Sequence, residues 1–296
     1  MIEGTVIEKV KKTNSADALF SVLIPSWNNL KFLKLCVESI RKNSSFRHQI
    51  IVHINEGNDG SLEWVKQQPD VDYVHSDRNI GICYALNGCR SLVQTKFVVF
   101  INDDMYVCPR WDKFLKEEID IIGHQYFFLS ATAIEPVFSS NCAIQKDYGN
   151  TTENFDEAKL LNDFESLSIN DWYGATWPPN VVHVDIWDMV GGYSVEFSPG
   201  MYSDPDFSMK LWTLGVRIFK GVSKSRVYHF GSKSVRRVKR NPGYNRFISK
   251  WGMTSSTLSH QYLHRGEQFA GPLSEPVIGF NIRIKNFLRR LSILQF

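Results

Sequence analysis

A short buried strand that ends on clustered oxygen-bearing side chains is the first place where this chain could do chemistry. Residues 97–101 form an unbroken run of aromatic and β-branched types, which is typical of a strand buried on both faces. The run stops at Asn102, Asp103 and Asp104. Open α/β folds bind ligands at the carboxyl ends of their strands, and hard oxygen ligands suit Mg²⁺ or Mn²⁺ carrying a phosphate. A polar turn after a core strand has the same composition, so the cluster alone leaves both interpretations open.

Strand and helix patterns alternate through the first hundred residues. The pattern predicts strands at 20–25, 49–54, 71–75 and 97–101, with helices at 30–42, 61–68 and 82–93 between them. Such alternation favours a parallel, right-handed α/β sheet. We expect Asn29 to cap the first helix and residues 1–18 to be frayed or loosely docked.

Composition places the chain among ordinary globular proteins. A hydrophobic fraction of 43% over 296 residues is ample for a core. We expect neither secretion nor bilayer crossing, because no signal-peptide pattern and no membrane-length apolar run is present. The cysteines are odd in number and lack a CxxC pair, so we expect them to be reduced, cytosolic and mostly buried rather than disulfide-bonded or zinc-bound; they are Cys36, Cys83, Cys89, Cys108 and Cys142.

Charge is distributed unevenly along the chain. Residues 207–296 hold 17 Lys and Arg but only two acidic residues, although the whole chain has a net charge of +3. The densest basic stretch follows Arg226 and contains Lys233, Arg236, Arg237, Lys239 and Arg240. Such a block contacts an anionic partner. Donor phosphates, a lipid-linked acceptor, an anionic membrane and nucleic acid all fit the charge, but residues 231–243 contain too few aromatic side chains for a stacking nucleic-acid binder.

Six motifs in chain order resemble those of family 2 glycosyltransferases, in particular bacterial polysaccharide and rhamnosyl-type enzymes. Residues 25–28 resemble the family's Pro-Thr-Tyr-Asn turn, residues 78–81 with Asn87 resemble its Asn-x-Gly helix start, and residues 102–104 lie where it has Asp-x-Asp. Residues 190–193 are similar to its Gly-Gly-Phe turn, residues 203–206 to Glu-Asp-x-Asp, and residues 228–232 to Tyr-His-x-Gly-Ser. Each motif is common alone, whereas six in order are specific.

The resemblance implies an α/β fold of the GT-A type: a mixed, mainly parallel, Rossmann-like sheet flanked by helices, here with a C-terminal helical tail. It implies a glycosyltransferase domain at 1–255, with a nucleotide-sugar-binding half at 1–106 and an acceptor-binding half at 107–255, followed by a basic amphipathic extension at 256–296. A nucleoside-diphosphate sugar donor, UDP- or dTDP-linked, and a divalent metal follow from it. The residues that it assigns to the donor are Pro25, Ser26, Trp27, Asn28, Glu56, Arg78, Gly81, Asn102 and Asp103.

Three positions depart from the family pattern. Asn102 replaces the first aspartate of Asp-x-Asp and contributes no charge, so metal binding should depend on Asp104. The carboxylate that reads the nucleobase is matched by Asn55 or Glu56, depending on a one-residue shift, and only Glu56 could accept strongly from an imide N–H. Ser203 replaces a glutamate, which should leave the pKa of the next residue, Asp204, lower than in a carboxylate pair.

The metal and the general base are assigned through the same motifs. Asp104 is the first metal ligand and His229 matches the family's metal-site histidine, which favours Mn²⁺ over Mg²⁺ because imidazole is a borderline-soft ligand. Asp204 is the expected base that takes the proton of the acceptor hydroxyl. We expect one residue among Ser203, Asp204 and Asp206 to cap the helix that follows.

Two further regions concern the acceptor and the membrane. Trp172, Trp177 and Tyr202 suit stacking on sugar rings, although the two tryptophans could instead cover the sheet. In the tail, Phe280, Ile284, Phe287, Leu288, Leu291 and Leu294 form one apolar stripe, with Ile282 and Ile293 outside it. This basic amphipathic helix is expected either to lie on an anionic leaflet or to pack on the domain or on a second subunit.

The sequence therefore predicts a metal-dependent, inverting hexosyltransferase that acts on a glycan or lipid-linked acceptor in polysaccharide biosynthesis. It is expected in the cytoplasm, either free or peripheral on the inner face of the membrane. A retaining glycosyltransferase, a nucleotidyltransferase on the same scaffold and a non-catalytic carbohydrate-binding relative are the alternatives.

Overall fold

The computed structural model describes residues 4–15, 17–231 and 242–294. In these ranges eleven strands form one mixed sheet. The strands are β1 (Ile7–Val10), β2 (Phe20–Trp27), β3 (Gln49–Asn55), β4 (Val71–Ser76), β5 (Phe97–Phe100), β6 (Met105–Val107), β7 (Phe127–Glu135), β8 (Ala143–Gln145), β9 (Trp172–Tyr173), β10 (Asn180–His183) and β11 (Ile218–His229).

Helices cover both faces of this sheet, as the sequence predicts. They are α1 (Leu30–Asn43), α2 (Ser61–Gln67), α3 (Gly81–Arg90), α4 (Trp111–Ile122), α5 (Glu157–Asp163), α6 (Val184–Met189), α7 (Ser203–Thr213), α8 (Gly243–Trp251), α9 (Ser255–Thr257) and α10 (Phe280–Leu294). A 3₁₀ turn at Val195–Phe197 and a π-helical turn at Leu258–Tyr262 complete the set. Within the described ranges, every helix is too short or too polar to cross a bilayer.

The direction of the strands decides which side chains can meet. The order is β1-β4-β3-β2-β5-β10-β7-β11-β6, with β8 beside β7 and β9 beside β11. The strands β2, β3, β4 and β5 are mutually parallel, and β10 is antiparallel to both β5 and β7. Since β11 is parallel to β7, six long strands all end at the same edge. The predicted ligand edge is therefore built from both halves of the chain.

Two local expectations from the sequence are corrected by the structure. Residues 7–10 are not loosely docked, because they form the edge strand β1 and pair antiparallel with β4. Asn29 does occupy the N-cap position of α1, but its side chain makes no capping hydrogen bond, and Asp59 Oδ2 instead accepts from the Leu30 amide at 2.7 Å. Both corrections involve residues distant in sequence, which local patterns do not report.

Alternate side chains along the strands point to opposite faces of the sheet and pack into two apolar cores. On β2, Phe20, Val22 and Ile24 pack towards the core that includes α1 and α4, whereas Leu23 packs towards the core that includes α3 and α7. All five cysteines are free and buried, as predicted. The predicted domain boundary at 255 stays a prediction; Leu258 and Leu263, just beyond it, belong to the same core as Phe247 of α8.

One close approach in the sheet is possible only with glycine. Gly221 lies on β11 opposite Trp172 of β9, and a Cβ at this position would come within 1.8 Å of the indole ring. The indole Nε1 donates to Thr132 Oγ1 at 2.9 Å, which fixes the ring in place. The ring therefore covers the sheet where a side chain would otherwise stand.

Gly221→Ala is expected to lower the free energy of unfolding by about 3 kcal/mol, the upper end of the overpacking range, because the buried ring cannot move aside. Gly88→Ala is the matched control. Gly88 lies inside α3, and a Cβ added there would lie 3.7 Å from His53 Nδ1, an ordinary contact distance. Gly88→Ala should therefore raise the free energy of unfolding by about 0.5–1 kcal/mol, because alanine favours the helix. Urea denaturation measures both; equal stability of the two variants would contradict the packing argument.

Candidate functional site

A cleft of about 700 Å³ lies at the common carboxyl edge of the strands. Twelve of the fifteen residues that the sequence assigns to a site line it: Pro25, Ser26, Trp27, Gly81, Asn102, Asp103, Asp104, Trp172, Trp177, Tyr202, Asp204 and His229. The other three, Asn28, Glu56 and Arg78, lie outside its lining. Residues that are 200 positions apart in sequence thus share one cavity.

Asp104 and His229 face each other on the cleft wall. Asp104 precedes β6, which pairs antiparallel with the end of β11, so Met105 lies opposite His229. His229 Nε2 is 3.5 Å from Asp104 Oδ1, and both residues are buried. On the other side of the ring, His229 Nδ1 is 2.6 Å from Glu135 Oε1. Burial alone would lower the pKa of His229, but the two carboxylates raise it to about 10.

Glu135 is a site residue that the sequence analysis missed. It ends β7, and its neighbour Ile134 pairs in parallel register with Tyr228, which places Glu135 beside His229. Burial works against its charge, yet the hydrogen bond with His229 holds the pKa of Glu135 below its usual range. The signal was available: residues 127–134 form a mostly apolar strand that ends on a carboxylate, the same pattern as residues 97–104.

Asp204 lies in the first turn of α7, on the cleft wall. Desolvation in the cleft raises the pKa of its carboxyl from 3.8 to about 7, although the Tyr193 hydroxyl, which donates at 3.3 Å, works in the opposite direction. Tyr193 is held by Phe207, whose ring stacks on it at a centroid distance of 4.5 Å. The pKa of Asp204 thus lies where a carboxyl can exchange protons near neutral pH.

The expected helix cap at α7 is wrong. Tyr202 occupies the capping position with φ 70°, and no side chain caps this helix. Asp206 points away from the cleft: its Oδ1 accepts from Trp251 Nε1 at 2.8 Å and lies 2.9 Å from Lys250 Nζ. The two aspartates of this turn therefore do different things, since Asp206 joins α7 to α8 and Asp204 faces the cleft.

The turn after β2 is tied to the strand ends on either side. Ser26 Oγ donates to Asp103 Oδ2 at 2.7 Å. Trp27 Nε1 and Asn28 Nδ2 both donate to Glu56 Oε2 at 2.9 Å. Glu56 therefore lies behind the wall and orients Trp27, while its neighbour Asn55 lines the cleft. A contact of Glu56 with a nucleobase stays a prediction.

The predicted helix start at α3 forms a backbone corner of the cleft. Gly81 has φ 78°, and a Cβ there would come within 2.7 Å of Pro199. Asn87 holds the Gly-Gly-Tyr turn through two bonds with the backbone of Tyr193, at 2.7 and 2.9 Å. Arg78 points elsewhere and its nearest ion-pair partner is Asp77 at 3.8 Å.

The three aromatic residues assigned to an acceptor differ in exposure. Trp172 is 4% exposed and packed on the sheet, whereas Trp177 is 39% exposed at the cleft. The guanidinium of Arg265 lies over the Trp177 ring at 5.3 Å and gives the cleft a cation that the sequence analysis did not single out. Tyr202 packs edge-on against Tyr244. The predicted basic stretch, Lys233 to Arg240, and Ser232 of the last motif lie outside the described residues.

Solved structures show the fold. The structure of S. aureus TarS residues 1–349 is similar with a TM-score of 0.53 and 14% identity, covering 93% of this chain and 71% of that chain. A structure of GalNAc-T7 with UDP, GalNAc and Mn²⁺ is similar with a TM-score of 0.57 and 14% identity, covering 82% of this chain and 50% of that chain. The GT-A fold predicted from the sequence is confirmed.

Sequence comparison points to the same family as the motifs. The chain is 28% identical over 120 residues to WcaA of Escherichia coli (strain K12), a protein assigned to glycosyl transfer in colanic acid biosynthesis. This match spans 37% of the chain and 41% of the length of that relative. Residues 21–162 match the family described as glycosyl transferase family 2, so the resemblance to this family that the sequence motifs indicate is confirmed over that stretch.

Proposed function

We propose that this protein is a metal-dependent, inverting glycosyltransferase that moves a sugar from a nucleoside-diphosphate donor to a hydroxyl of a glycan or lipid-linked acceptor. The observation that carries the proposal is the placement of Asp204 and of the Asp104–His229 pair in one cleft at the carboxyl edge of the sheet. UDP accompanies one TarS structure, and UDP with Mn²⁺ accompanies GalNAc-T7. These structural neighbours favour a UDP-type donor, and the sequence-based expectation that the reaction takes place in the cytoplasm is part of the proposal.

The residues present fit a divalent cation that is shared with a substrate. Among the described residues, no group of three or more His, Cys, Asp and Glu is arranged to hold a metal by itself. The 3.5 Å between His229 Nε2 and Asp104 Oδ1 is about the separation of two ligands bonded to one cation at roughly 2.1 Å. Asp104 and His229 would hold the ion, and the donor's phosphates would supply further oxygens. A bound Mn²⁺ or Mg²⁺ neutralises charge on the leaving diphosphate.

The chain's own residues account for the proton transfer. The acceptor oxygen bonds to the anomeric carbon while the bond from that carbon to the diphosphate oxygen breaks, and the hydroxyl proton passes to the Asp204 carboxylate. A carboxyl with a pKa of about 7 is ionised in a large fraction of molecules at neutral pH and is basic enough to take that proton. Tyr193 orients Asp204 through its hydroxyl. Attack from the face opposite the leaving group inverts the anomeric configuration.

A screen of nucleotide sugars tests the proposal. The protein is incubated with each donor plus MnCl₂, or with chelator, and the released nucleotide is identified by chromatography. Metal-dependent release of nucleoside diphosphate is expected. Release of pyrophosphate would instead show a nucleotidyltransferase, and binding without release would show a non-catalytic relative. The anomeric configuration of a transferred product, read by NMR, separates inversion from retention.

Glu135 should act as a positioning residue for His229. Because Glu135 Oε1 accepts from Nδ1, the opposite nitrogen is turned towards Asp104. Glu135→Ala is expected to weaken Mn²⁺ binding by about 10- to 100-fold, as removal of such partners does. Glu135→Gln should retain most of the affinity, because its amide oxygen can accept the same bond.

Mn²⁺ titration followed by electron paramagnetic resonance measures the Mn²⁺ affinity of the parent and of the Glu135 variants without turnover. Glu118→Ala is the matched control, since Glu118 binds Lys220 at 2.7 Å and lies outside the cleft lining. Affinity unchanged in Glu135→Ala, or reduced equally in Glu118→Ala, would remove the positioning role.

A further inference from the structure

The last helix of the described chain is docked with its polar side inward. Asn286 of α10 is 8% exposed, and its Oδ1 accepts from Thr257 Oγ1 at 3.0 Å and from the Thr254 amide at 3.3 Å. Ile282 and Ile293, which lie outside the apolar stripe, are half-buried on the same side. The α10 helix packs beside α8 through this face.

The apolar stripe of α10 faces away from the protein. Phe280 is 76% exposed and Phe287 is 60% exposed. At 100° per residue, the stripe lies on the side of the helix opposite Asn286. Its described members are Phe280, Ile284, Phe287, Leu288 and Leu291, all of them exposed. Large apolar side chains aligned in water on one face indicate a surface that another phase or molecule covers.

The charges beside the stripe select among the molecules that could cover it. Residues 276–296 contain four Lys and Arg and no acidic residue. Arg283 lies along one edge of the stripe and Lys285 along the other, whereas Arg289 and Arg290 lie nearer to Asn286 on the docked side. Two copies of this helix placed face to face would bring like charges together. An apolar stripe with cations on both edges is the arrangement of a helix that lies in the interface of an anionic membrane.

We infer that α10 is a docking surface for an anionic lipid leaflet, with the stripe sunk among the acyl chains and the flanking cations, Arg283 and Lys285, at the headgroups. The sequence left open whether this helix binds lipid or packs on the domain. The structure assigns the two roles to opposite faces, since Asn286 binds Thr254 and Thr257 on one face while the stripe on the other face remains outside.

The docked helix adjoins the wall of the cleft. Thr254 and Thr257 bind Asn286, while the two residues between them, Ser255 and Ser256, line the cleft. A leaflet bound to α10 would therefore lie within a few residues of the cavity. The consequence for the acceptor, that it is presented from the same leaflet, rests on the proposed function. Lipid binding itself does not.

Vesicle sedimentation tests the inference with the full chain and no substrate. The protein should sediment with phosphatidylcholine vesicles that contain about a third phosphatidylglycerol, bind pure phosphatidylcholine weakly, and dissociate as salt rises. Phe287→Ser should weaken binding by about tenfold or more, from the free energy of burying one Phe side chain. Arg283→Gln and Lys285→Gln should each weaken it by about fivefold.

Ile121→Ser is the matched control, because Ile121 is a 78% exposed apolar residue on α4; it should bind vesicles like the parent. Equal losses in Phe287→Ser and Ile121→Ser would overturn the inference, as would a parent that does not bind the anionic vesicles. Absence of vesicle binding together with a dimer in sedimentation velocity that Phe287→Ser dissociates would assign the stripe to a second copy instead. Nucleotide binding measured without vesicles reports on the proposed function separately, so the two can fail independently.

Discussion

Asp204→Asn should lower sugar transfer by about 10²- to 10⁴-fold, the usual contribution of a general base, while nucleotide and metal binding stay as in the parent. The amide has the shape of the carboxyl and can still accept from the Tyr193 hydroxyl, but it cannot take a proton. Single-turnover kinetics with saturating donor measure the chemical step, and calorimetry measures nucleotide binding.

The pH dependence gives a second readout. Because desolvation raises the pKa of Asp204 to about 7, kcat/KM of the parent should rise with pH through about 7, as the base becomes ionised. The variant should lack this limb. Transfer near the parent level, or a loss of nucleotide binding in step with activity, would show that Asp204 serves the structure and not the chemistry.

Stability should move in the opposite direction from activity. A carboxyl whose pKa is higher in the folded state than in the unfolded state contributes stability at low pH, and that contribution is lost as pH rises towards the folded pKa. Above about pH 7 the folded protein carries a desolvated charge at Asp204. Asp204→Asn removes it, so the variant should melt at a higher temperature than the parent at pH 8.

Asp206→Asn is the control from the same turn of α7. Asp206 is fully buried and bound to Lys250 and Trp251, so loss of its charge leaves Lys250 with a weaker partner. The expected result is lower thermal stability with the pH limb of kcat/KM intact. One carboxylate needed for transfer and another, in the same turn, needed for stability would separate the base from the scaffold.

The first half of the sheet was predictable because its information is local. The strand and helix at residues 20–42 follow from apolar spacing, and β2 and α1 match them within two residues. The motif at 102–104 could be placed at the ligand edge because one buried strand leads directly to it. These features need only the chain within about fifteen residues.

Features that depend on pairing between distant segments were not predictable. Glu135 joins the site only because β10 runs antiparallel between β5 and β7, which turns the ends of β7 and β11 to the same edge. The capping of α1 by Asp59 and the pairing of β1 with β4 are of the same kind. The pKa of Asp204 could not be derived either, because the removal of the neighbouring glutamate at Ser203 says nothing about desolvation in a cleft.

The tail shows how structure resolves a choice that periodicity leaves open. An apolar stripe predicts that some surface covers it. Whether that surface is the domain itself depends on whether the opposite face of the helix can pack on the domain instead. On the face of α10 opposite the stripe, Asn286 Oδ1 accepts from the hydroxyl of Thr257 and the amide of Thr254. This polar contact decides which face of the helix packs on the domain. The two apolar residues that broke the stripe, Ile282 and Ile293, lie on this docked side.

Asp104→Ala should abolish metal-dependent transfer, with a loss of about 10³-fold or more, because a metal acting as a Lewis acid supplies several kcal/mol to the transition state. Asp104 is the one carboxylate within 4 Å of His229 Nε2 among the described contacts. Asn102 contributes no charge, and Asp103 accepts from Ser26. After loss of Asp104, the ion pair between His229 and Glu135 would remain.

Mn²⁺ titration of Asp104→Ala should show that the affinity for Mn²⁺ is lowered along with the transfer activity. Excess chelator should lower the activity of the parent to the level of Asp104→Ala. His229→Ala should lose less than Asp104→Ala, because His229 must release its proton before it can bind a metal, whereas Asp104→Ala removes a charged ligand. Melting temperature and metal-free nucleotide binding report whether the variants remain folded. Full turnover of the parent in chelator, or Mn²⁺ affinity unchanged in Asp104→Ala, would contradict the metal site. The charge on the leaving diphosphate would then have to be stabilised by protein cations, and Arg265, which lies beside Trp177 in the cleft, is a candidate.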